Sequence, residues 1–187
     1  MTLNPYYGGN NLKEMISQDR FILNKFEHWY FGEDDTGDIK NFDNYLGLIS
    51  HCKSKFESEV NLVTADGSVN CMDDPGNQEN IVWHLIFCET ISALTILKKG
   101  GNFVLKIFTI FENNSIALLI LLNECFERVT VFKPCTSKAG NSELYITCIE
   151  MDLVKNFMNT SRPVILITNK YMNNIVAPIK ILGHIIA

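Results

Sequence analysis

Three ionisable residues lie where the sequence predicts that β-strands end or begin. Asp66 directly follows the β-rich run 60–65, Lys106 lies inside the apolar run 102–108, and Glu143 stands at the start of the last clear strand. In open α/β sheets, ligands bind outside the carboxyl ends of the strands. These side chains are therefore the first candidates for a reactive site.

Lys106 is the most informative of the three, because the residues beside it in the run are apolar. Burying an unpaired ammonium is costly, so this lysine should have a partner or a function. Burial and neighbouring cations lower the pKa of a lysine and turn it into a general base. The sequence therefore favours acid–base chemistry at Lys106.

Asp66 and Glu143 also have plain structural interpretations. An Asp before a Gly, as in Asp66-Gly67, is typical of a turn. Glu143 would equally serve as a solvent-facing charge that protects an edge strand. With right-handed crossovers, however, Asp66, Lys106 and Glu143 would all approach one face or rim of the sheet.

The composition predicts one globular domain with a sizeable core, since 47% of the 187 residues are hydrophobic and 20% are charged. The net charge of −5 argues against a broadly basic nucleic-acid coat, although a local basic groove remains compatible with it. The six cysteines form no C-x-x-C pair and have no metal-ligand spacing, so we expect reduced packing residues of an intracellular protein and no metal site. We expect no signal peptide. We also expect no membrane span, which would need a run of about 20 apolar residues.

Strands and helices alternate along the chain, which predicts a mostly parallel sheet. The short loop between the last two strands predicts an antiparallel hairpin at one edge. Gly100 is expected to cap one helix at its end, and Ser115 to cap another at its start. The predicted strands are 60–65, 102–108, 129–132 and 144–149, and the predicted helices lie within 10–24 and at 42–53, 78–97 and 116–125.

Several motifs, in order, resemble those of the FtsJ/RrmJ-type RNA ribose 2′-O-methyltransferases, most closely the cap-specific mRNA (adrift-like) branch. The likeness covers about residues 1–149. It implies a Rossmann-like, S-adenosylmethionine-dependent methyltransferase sheet. The runs that carry it are 2–6, 29–32, 36–39, 62–68, 100–108, 132–134 and 137–145.

The resemblance also implies residue roles. The family uses a Lys-Asp-Lys-Glu tetrad, in which Asp66 would be the aspartate, Lys106 the second lysine and Glu143 the glutamate. Asp38 would hold the adenosine part of S-adenosyl-L-methionine, with Asp66 also at the cofactor site, although Asp38 is equally a helix-capping residue by type. Lys106 would take the proton of a ribose 2′-hydroxyl, oriented by Asp66 and held in place by Glu143.

The predicted substrate is capped mRNA or another RNA, inside the cell, in the nucleus or the cytoplasm. Lys133 and Lys138, in the loop before Glu143, would contact RNA phosphates or else be solvated loop lysines. The aromatic run 29–31 is a candidate for cap stacking, or core packing.

Two elements of the family pattern are expected upstream of Met1: the glycine-rich cofactor loop and the first tetrad lysine. The prediction is therefore an N-terminally incomplete methyltransferase domain at 1–150, followed by a divergent extension at 151–187. Two functions follow. The chain is either part of a cap 2′-O-methyltransferase, or a catalytically inactive remnant that binds RNA or protein.

Overall fold

The computed structural model describes residues 20–57, 60–69, 71–137 and 140–152. Of the first predicted helix, residues 10–19 lie outside this part, and its end is a short helix. The helices are α1 Arg20–Asn24, α2 Phe42–Phe56, α3 Gln78–Ile96 and α4 Asn113–Cys125. The strands are β1 Val60–Ala65, β2 Leu97–Ile107, β3 Phe126–Phe132 and β4 Leu144–Met151.

The four strands form one mixed sheet in the order β1-β2-β4-β3. β1 and β2 pair in parallel, and β4 is antiparallel to both of its neighbours. Three strands therefore run in one direction, and the β3–β4 hairpin forms one edge, which confirms the predicted architecture. The returning strand β4 lies inside the sheet, between β2 and β3, and β3 is the outer strand.

One face of the sheet packs against α3 and α4. Phe103, Leu105 and Ile146 point to this face and are almost completely buried, together with Val82 of α3 and Leu122 of α4. α2 packs on the outer side of α3 through a second apolar cluster. Since successive strand residues point to opposite faces, the residues between those core positions project to the other face.

That other face carries polar and half-exposed side chains within the described part of the chain. Lys106 and Tyr145 lie opposite each other on β2 and β4. Leu62 of β1 and Phe132 of β3 belong to the same face and are 55% and 42% exposed. The candidate lysine therefore stands on the more open side of the sheet.

Gly100 does not end α3, which stops at Ile96. It lies in the first half of β2, in the left-handed region at φ 78°. There the register between β1 and β2 shifts, so that β2 has extra residues, and such a bulge favours a glycine. A longer β2 therefore replaces the predicted loop.

Ser115 is not the residue before α4, because the helix begins two residues earlier, at Asn113. The buried carboxylate of Glu79 binds this end: it accepts hydrogen bonds from the Thr109 hydroxyl and from the backbone N–H groups of Phe111 and Glu112. Burial raises the pKa of Glu79, but hydrogen bonds from Ser115, Thr109 and the loop outweigh it and lower the pKa below its usual value. A carboxylate from α3 thus fixes the start of α4.

Candidate active site

Asp66 and Lys106 meet at the carboxyl end of the parallel strands. The Lys106 Nζ lies 2.5 Å from Oδ1 of Asp66 and donates a hydrogen bond of 3.1 Å to the Asp66 carbonyl oxygen. The Lys106 side chain is 11% exposed, whereas that of Asp66 is 73% exposed. The mostly buried ammonium therefore has the partner that the sequence required, and the partner's carboxylate faces solvent.

Glu143 is hydrogen-bonded to Tyr145, a residue that the sequence reasoning did not select. The Tyr145 hydroxyl donates to Oε1 of Glu143 over 2.7 Å, and Tyr145 lies opposite Lys106 in the sheet. The hydrogen bond to Glu143, burial, and the negative charges of Glu143 and Asp66 together raise the pKa of Tyr145 to about 12. In the described part of the chain, Glu143 makes no ion pair with Lys106. Glu143 is bonded instead to Tyr145, the residue that pairs with Lys106 in the sheet.

The loop before β4 is tied together by Lys133. Its ammonium donates to the carbonyl and side-chain oxygens of Asn141, at 2.8 and 2.7 Å, and to the Glu143 carbonyl oxygen at 3.1 Å. These three bonds join the end of β3 to the start of β4. Lys138, the other lysine of this loop, lies outside the described residues.

Asp38 lies in a separate loop, before α2. Its carboxylate accepts from the backbone N–H of Lys40 at 3.0 Å and lies 3.5 Å from the Lys40 ammonium. The Asp38 side chain is 43% exposed, so part of the carboxylate faces solvent. Its negative charge also contributes to raising the pKa of Cys88 in α3, the residue before Glu89.

The side chain of Asn44 organises the Asp38 loop. It is completely buried, and its amide oxygen accepts from the backbone N–H groups of Glu33 and Asp34. Its amide nitrogen donates to the Asp34 carboxylate, the Thr36 hydroxyl and the Asp38 carbonyl oxygen. Sequence reasoning missed this residue, because an Asn in the first turn of a helix carries no local sign of such a role.

Glu89 is a buried carboxylate behind the Asp66–Lys106 pair, and the sequence reasoning also missed it. Its Oε1 accepts from the backbone N–H of Gly67 over 2.8 Å. Burial raises the pKa of Glu89 to about 7; the Gly67 hydrogen bond and the charge of Lys106 lower it, and the charge of Asp66 raises it. The available signal was an acid in the largely apolar stretch 85–94 of α3.

The stacked aromatic residues before α2 pack on one another. The rings of Trp29 and Phe31 are stacked with centroids 6.2 Å apart, and Tyr30 stacks on His51 at 4.7 Å. Among the described residues, no group of three or more His, Cys, Asp or Glu is arranged to hold a metal ion. No helix in the same part of the chain is long and apolar enough to cross a membrane.

Comparison with known proteins finds a protein family whose sequence pattern matches this chain. The family model of FtsJ-like methyltransferases matches residues 8–151, a range that includes Asp38, Asp66, Lys106 and Glu143. The cap-specific mRNA (nucleoside-2'-O-)-methyltransferase 2 of Drosophila melanogaster is 51% identical over 148 residues, which are 79% of this chain and 21% of that protein.

Two further relatives have the same kind of name. The cap-specific mRNA (nucleoside-2'-O-)-methyltransferase 2 of Pongo abelii is 52% identical over 148 residues, covering 79% of this chain and 19% of that protein. The cap-specific mRNA (nucleoside-2'-O-)-methyltransferase 1 of Danio rerio is 34% identical over 139 residues, covering 70% and 17%. The chain spans about a fifth of the length of the curated relatives that it matches.

Proposed function

This chain belongs to the FtsJ-like methyltransferase family, and from that premise we propose that it takes part in S-adenosylmethionine-dependent methylation of a ribose 2′-hydroxyl in capped mRNA. Lys106 is the general base. The observation that carries the proposal is the Asp66–Lys106 pair at the carboxyl end of β1, with Lys106 held by two oxygens of one residue. An mRNA substrate puts the reaction inside the cell, in the nucleus or the cytoplasm.

The proton transfer is assigned to the Lys106 amine. A hydroxyl is a poor nucleophile until it loses its proton, so a positioned base accelerates its attack. The 2′-hydroxyl proton would pass to the lone pair of Nζ as the ribose oxygen bonds to the methyl carbon, and the electron pair of the carbon–sulfur bond that breaks would stay on the sulfur of the donor. The Asp66 carboxylate and carbonyl then stabilise the ammonium that forms. Glu143 is hydrogen-bonded to Tyr145, which lies opposite Lys106 on the neighbouring strand.

The residues present fit the proposed methyl donor. S-adenosylmethionine supplies a methyl group on a cationic sulfonium, joined to an adenosine with ribose hydroxyls. Carboxylates suit both features, and Asp66 and Asp38 each present a carboxylate that is partly open to solvent. Asp38 is proposed to bind the adenosine part, and Asp66 to lie beside the transferred group.

The RNA strand is proposed to cross the loop between β3 and β4. Lys133 adds positive charge there while its N–H groups hold Asn141 and Glu143, and Lys138 belongs to the same loop in sequence. Phosphate contacts of this kind fix the register of a nucleic acid without reading its bases. The methylated ribose would then lie over Lys106.

The first test is cofactor binding, measured by calorimetry with S-adenosylmethionine. We expect Asp38→Asn to bind at least tenfold more weakly than the wild-type chain, because a neutral amide offers one acceptor oxygen where a carboxylate offers two charged ones. Asp43→Asn, in the first turn of α2, is the matched control and should bind normally. A folded wild-type chain that does not bind the donor would favour the alternative, an inactive remnant that binds RNA or protein, and equal affinities of wild type and Asp38→Asn would remove Asp38 from the cofactor site.

The second test is methyl transfer to capped RNA. Loss of a general base costs about 10²–10⁴-fold, so Lys106→Met should lose at least a hundredfold in rate with cofactor affinity retained. Lys99→Met, on the same strand and paired with Asp152, is the control. Transfer that survives Lys106→Met would remove the lysine from the mechanism.

A further inference from the structure

We propose that Glu89 is a positioning residue, which acts on Lys106 through the peptide group between Asp66 and Gly67. The proposal deepens the function proposed above, because it assigns a role to a side chain outside the tetrad pattern. Glu89 lies on α3, on the side of the sheet opposite to the one that carries Lys106. It influences the base without touching it.

One peptide group joins the two residues. Its carbonyl oxygen, from Asp66, accepts from the Lys106 ammonium at 3.1 Å, and its N–H, from Gly67, donates to Glu89 at 2.8 Å. In a planar trans peptide, the C=O and N–H bonds point in opposite directions. Fixing the N–H on Glu89 therefore aims the carbonyl at Lys106, and rotation of this peptide would break both hydrogen bonds.

A chain of hydrogen bonds of this kind also transmits charge. A carboxylate that accepts from the N–H polarises the peptide, which makes its carbonyl oxygen a stronger acceptor for the ammonium. The Asp66 carbonyl oxygen therefore binds the Lys106 ammonium more strongly when Glu89 is ionised than when Glu89 is neutral.

The turn is built to bring Glu89 this close. A Cβ atom at position 67 would overlap Oε1 of Glu89 and lie 2.9 Å from Cδ2 of Leu85. A larger residue at this position would require the ends of the Glu89 and Leu85 side chains to shift away from the turn.

The second oxygen of Glu89 separates a charge effect from a packing effect. Oε2 is buried and has no hydrogen-bond partner among the described residues. An unpaired buried oxygen is costly. A glutamine would keep the bond to Gly67 through its amide oxygen and would remove the charge. Glu89→Gln therefore tests the charge with the Gly67 hydrogen bond retained.

The charged groups around Glu89 come from three elements. Asp66 ends β1 and Lys106 lies on β2, and both act electrostatically on Glu89. Asp38 and Lys40, before α2, act on the adjacent Cys88. The charges of Asp66 and Lys106 have opposite signs, so the two residues act on Glu89 in opposite directions.

The test is nuclear magnetic resonance of lysine-labelled protein, with the Lys106 Cε signal assigned by its loss in Lys106→Met. In wild type, the Gly67 amide signal and the Lys106 signal should both change in one common step as the Glu89 carboxyl ionises. In Glu89→Gln that step should disappear from both signals. Glu124→Gln, on α4, is the matched control and should change neither signal.

Two results would overturn the proposal. One is a wild-type Lys106 signal with no step in common with Gly67, which needs no variant and so is independent of how Glu89→Gln folds. The other is a common step of the two signals that persists in folded Glu89→Gln. The experiment uses neither donor nor RNA, so a coupled Lys106 in a chain that transfers no methyl group would reject the proposed function alone.

Discussion

At the scale of single residues, the Asp66–Lys106 pair is asymmetric in its burial. The ammonium is mostly enclosed, while the carboxylate is largely open to water. Removing the exposed partner leaves an enclosed charge with less compensation, whereas removing the enclosed partner leaves a carboxylate that water solvates. The two halves of one ion pair should therefore differ in their effect on stability.

This difference predicts the order of two variants. Asp66→Asn should lower the free energy of unfolding by about 1–3 kcal/mol, because the Lys106 charge keeps only uncharged partners. Lys106→Met should change it by less than about 1 kcal/mol, because an apolar chain of similar length fills the same space. Urea denaturation at pH 7 measures both values. A larger loss for Lys106→Met would contradict the burial argument.

Glu89 predicts a pH dependence of stability. Its pKa is about 7 in the folded chain and 4.5 ordinarily, so the folded state binds the extra proton between these values. The stabilisation is complete below about pH 4.5 and is lost as the pH rises through 7, by about 3 kcal/mol in total. Charged Glu89 therefore costs stability at the pH at which it acts on Lys106.

Urea denaturation of wild type and Glu89→Gln at pH 5, 6, 7 and 8 measures this effect. The difference between the two proteins isolates Glu89 from other titrating groups. The free energy of unfolding of Glu89→Gln minus that of wild type should be more negative at pH 5 than at pH 8. Parallel stability curves would show that Glu89 has an ordinary pKa.

At the scale of elements, α2 holds the Asp38 loop in place through one buried side-chain amide, that of Asn44. Asn44 makes hydrogen bonds to Glu33, Asp34, Thr36 and Asp38, all within the loop that precedes its own helix. Gly32, at φ 86°, passes so close to the Asn44 amide that a Cβ would overlap it. The loop is thus wrapped around one side chain.

Asn44→Ala should therefore disorder the loop and lower the stability by about 2–4 kcal/mol, because buried N–H groups lose their partners. If Asp38 binds the methyl donor, donor affinity should fall at least tenfold as well. Calorimetry and urea denaturation measure the two effects. Asn123→Ala, on an exposed part of α4, is the control, and equal effects of both variants would contradict the role of Asn44.

At the scale of the whole molecule, the candidate site depends on how β4 enters the sheet. Insertion of β4 between β2 and β3 puts Tyr145 opposite Lys106 and brings Glu143 to the same end. The loop that leads into β4 is held at that end by Lys133. Lys133 therefore supports the sheet as well as adding charge.

Lys133→Met should loosen this entry while leaving the rest of the sheet intact. We expect faster amide hydrogen exchange at residues 140–145, by about tenfold, with no change in β1 and α3. Exchange measured by mass spectrometry without RNA separates this effect from any contact with phosphates. Lys53→Met, which changes an exposed lysine of α2, is the control. If Lys133→Met leaves the protection of residues 140–145 unchanged, the role of Lys133 is contradicted.

The sequence by itself determined which elements form and which two residues are the first candidates for a reactive site. The long apolar helix α3, the flanking strands β1 and β2, and the β3–β4 hairpin all follow from local patterns and turn residues. Asp66 at a strand end and Lys106 in an apolar strand stood out for the same reason. Local periodicity and burial cost are properties of neighbouring residues, so they can be read along the chain.

Only the tertiary structure decided how distant residues meet. The place of β4 in the sheet, the register of Tyr145 with Lys106, and the link from Glu143 to Tyr145 depend on how strands pair. Glu89 joins Gly67 across 22 residues. Such contacts are fixed by the packing of whole elements, and a packing arrangement leaves no mark on the residues next to any one of its members.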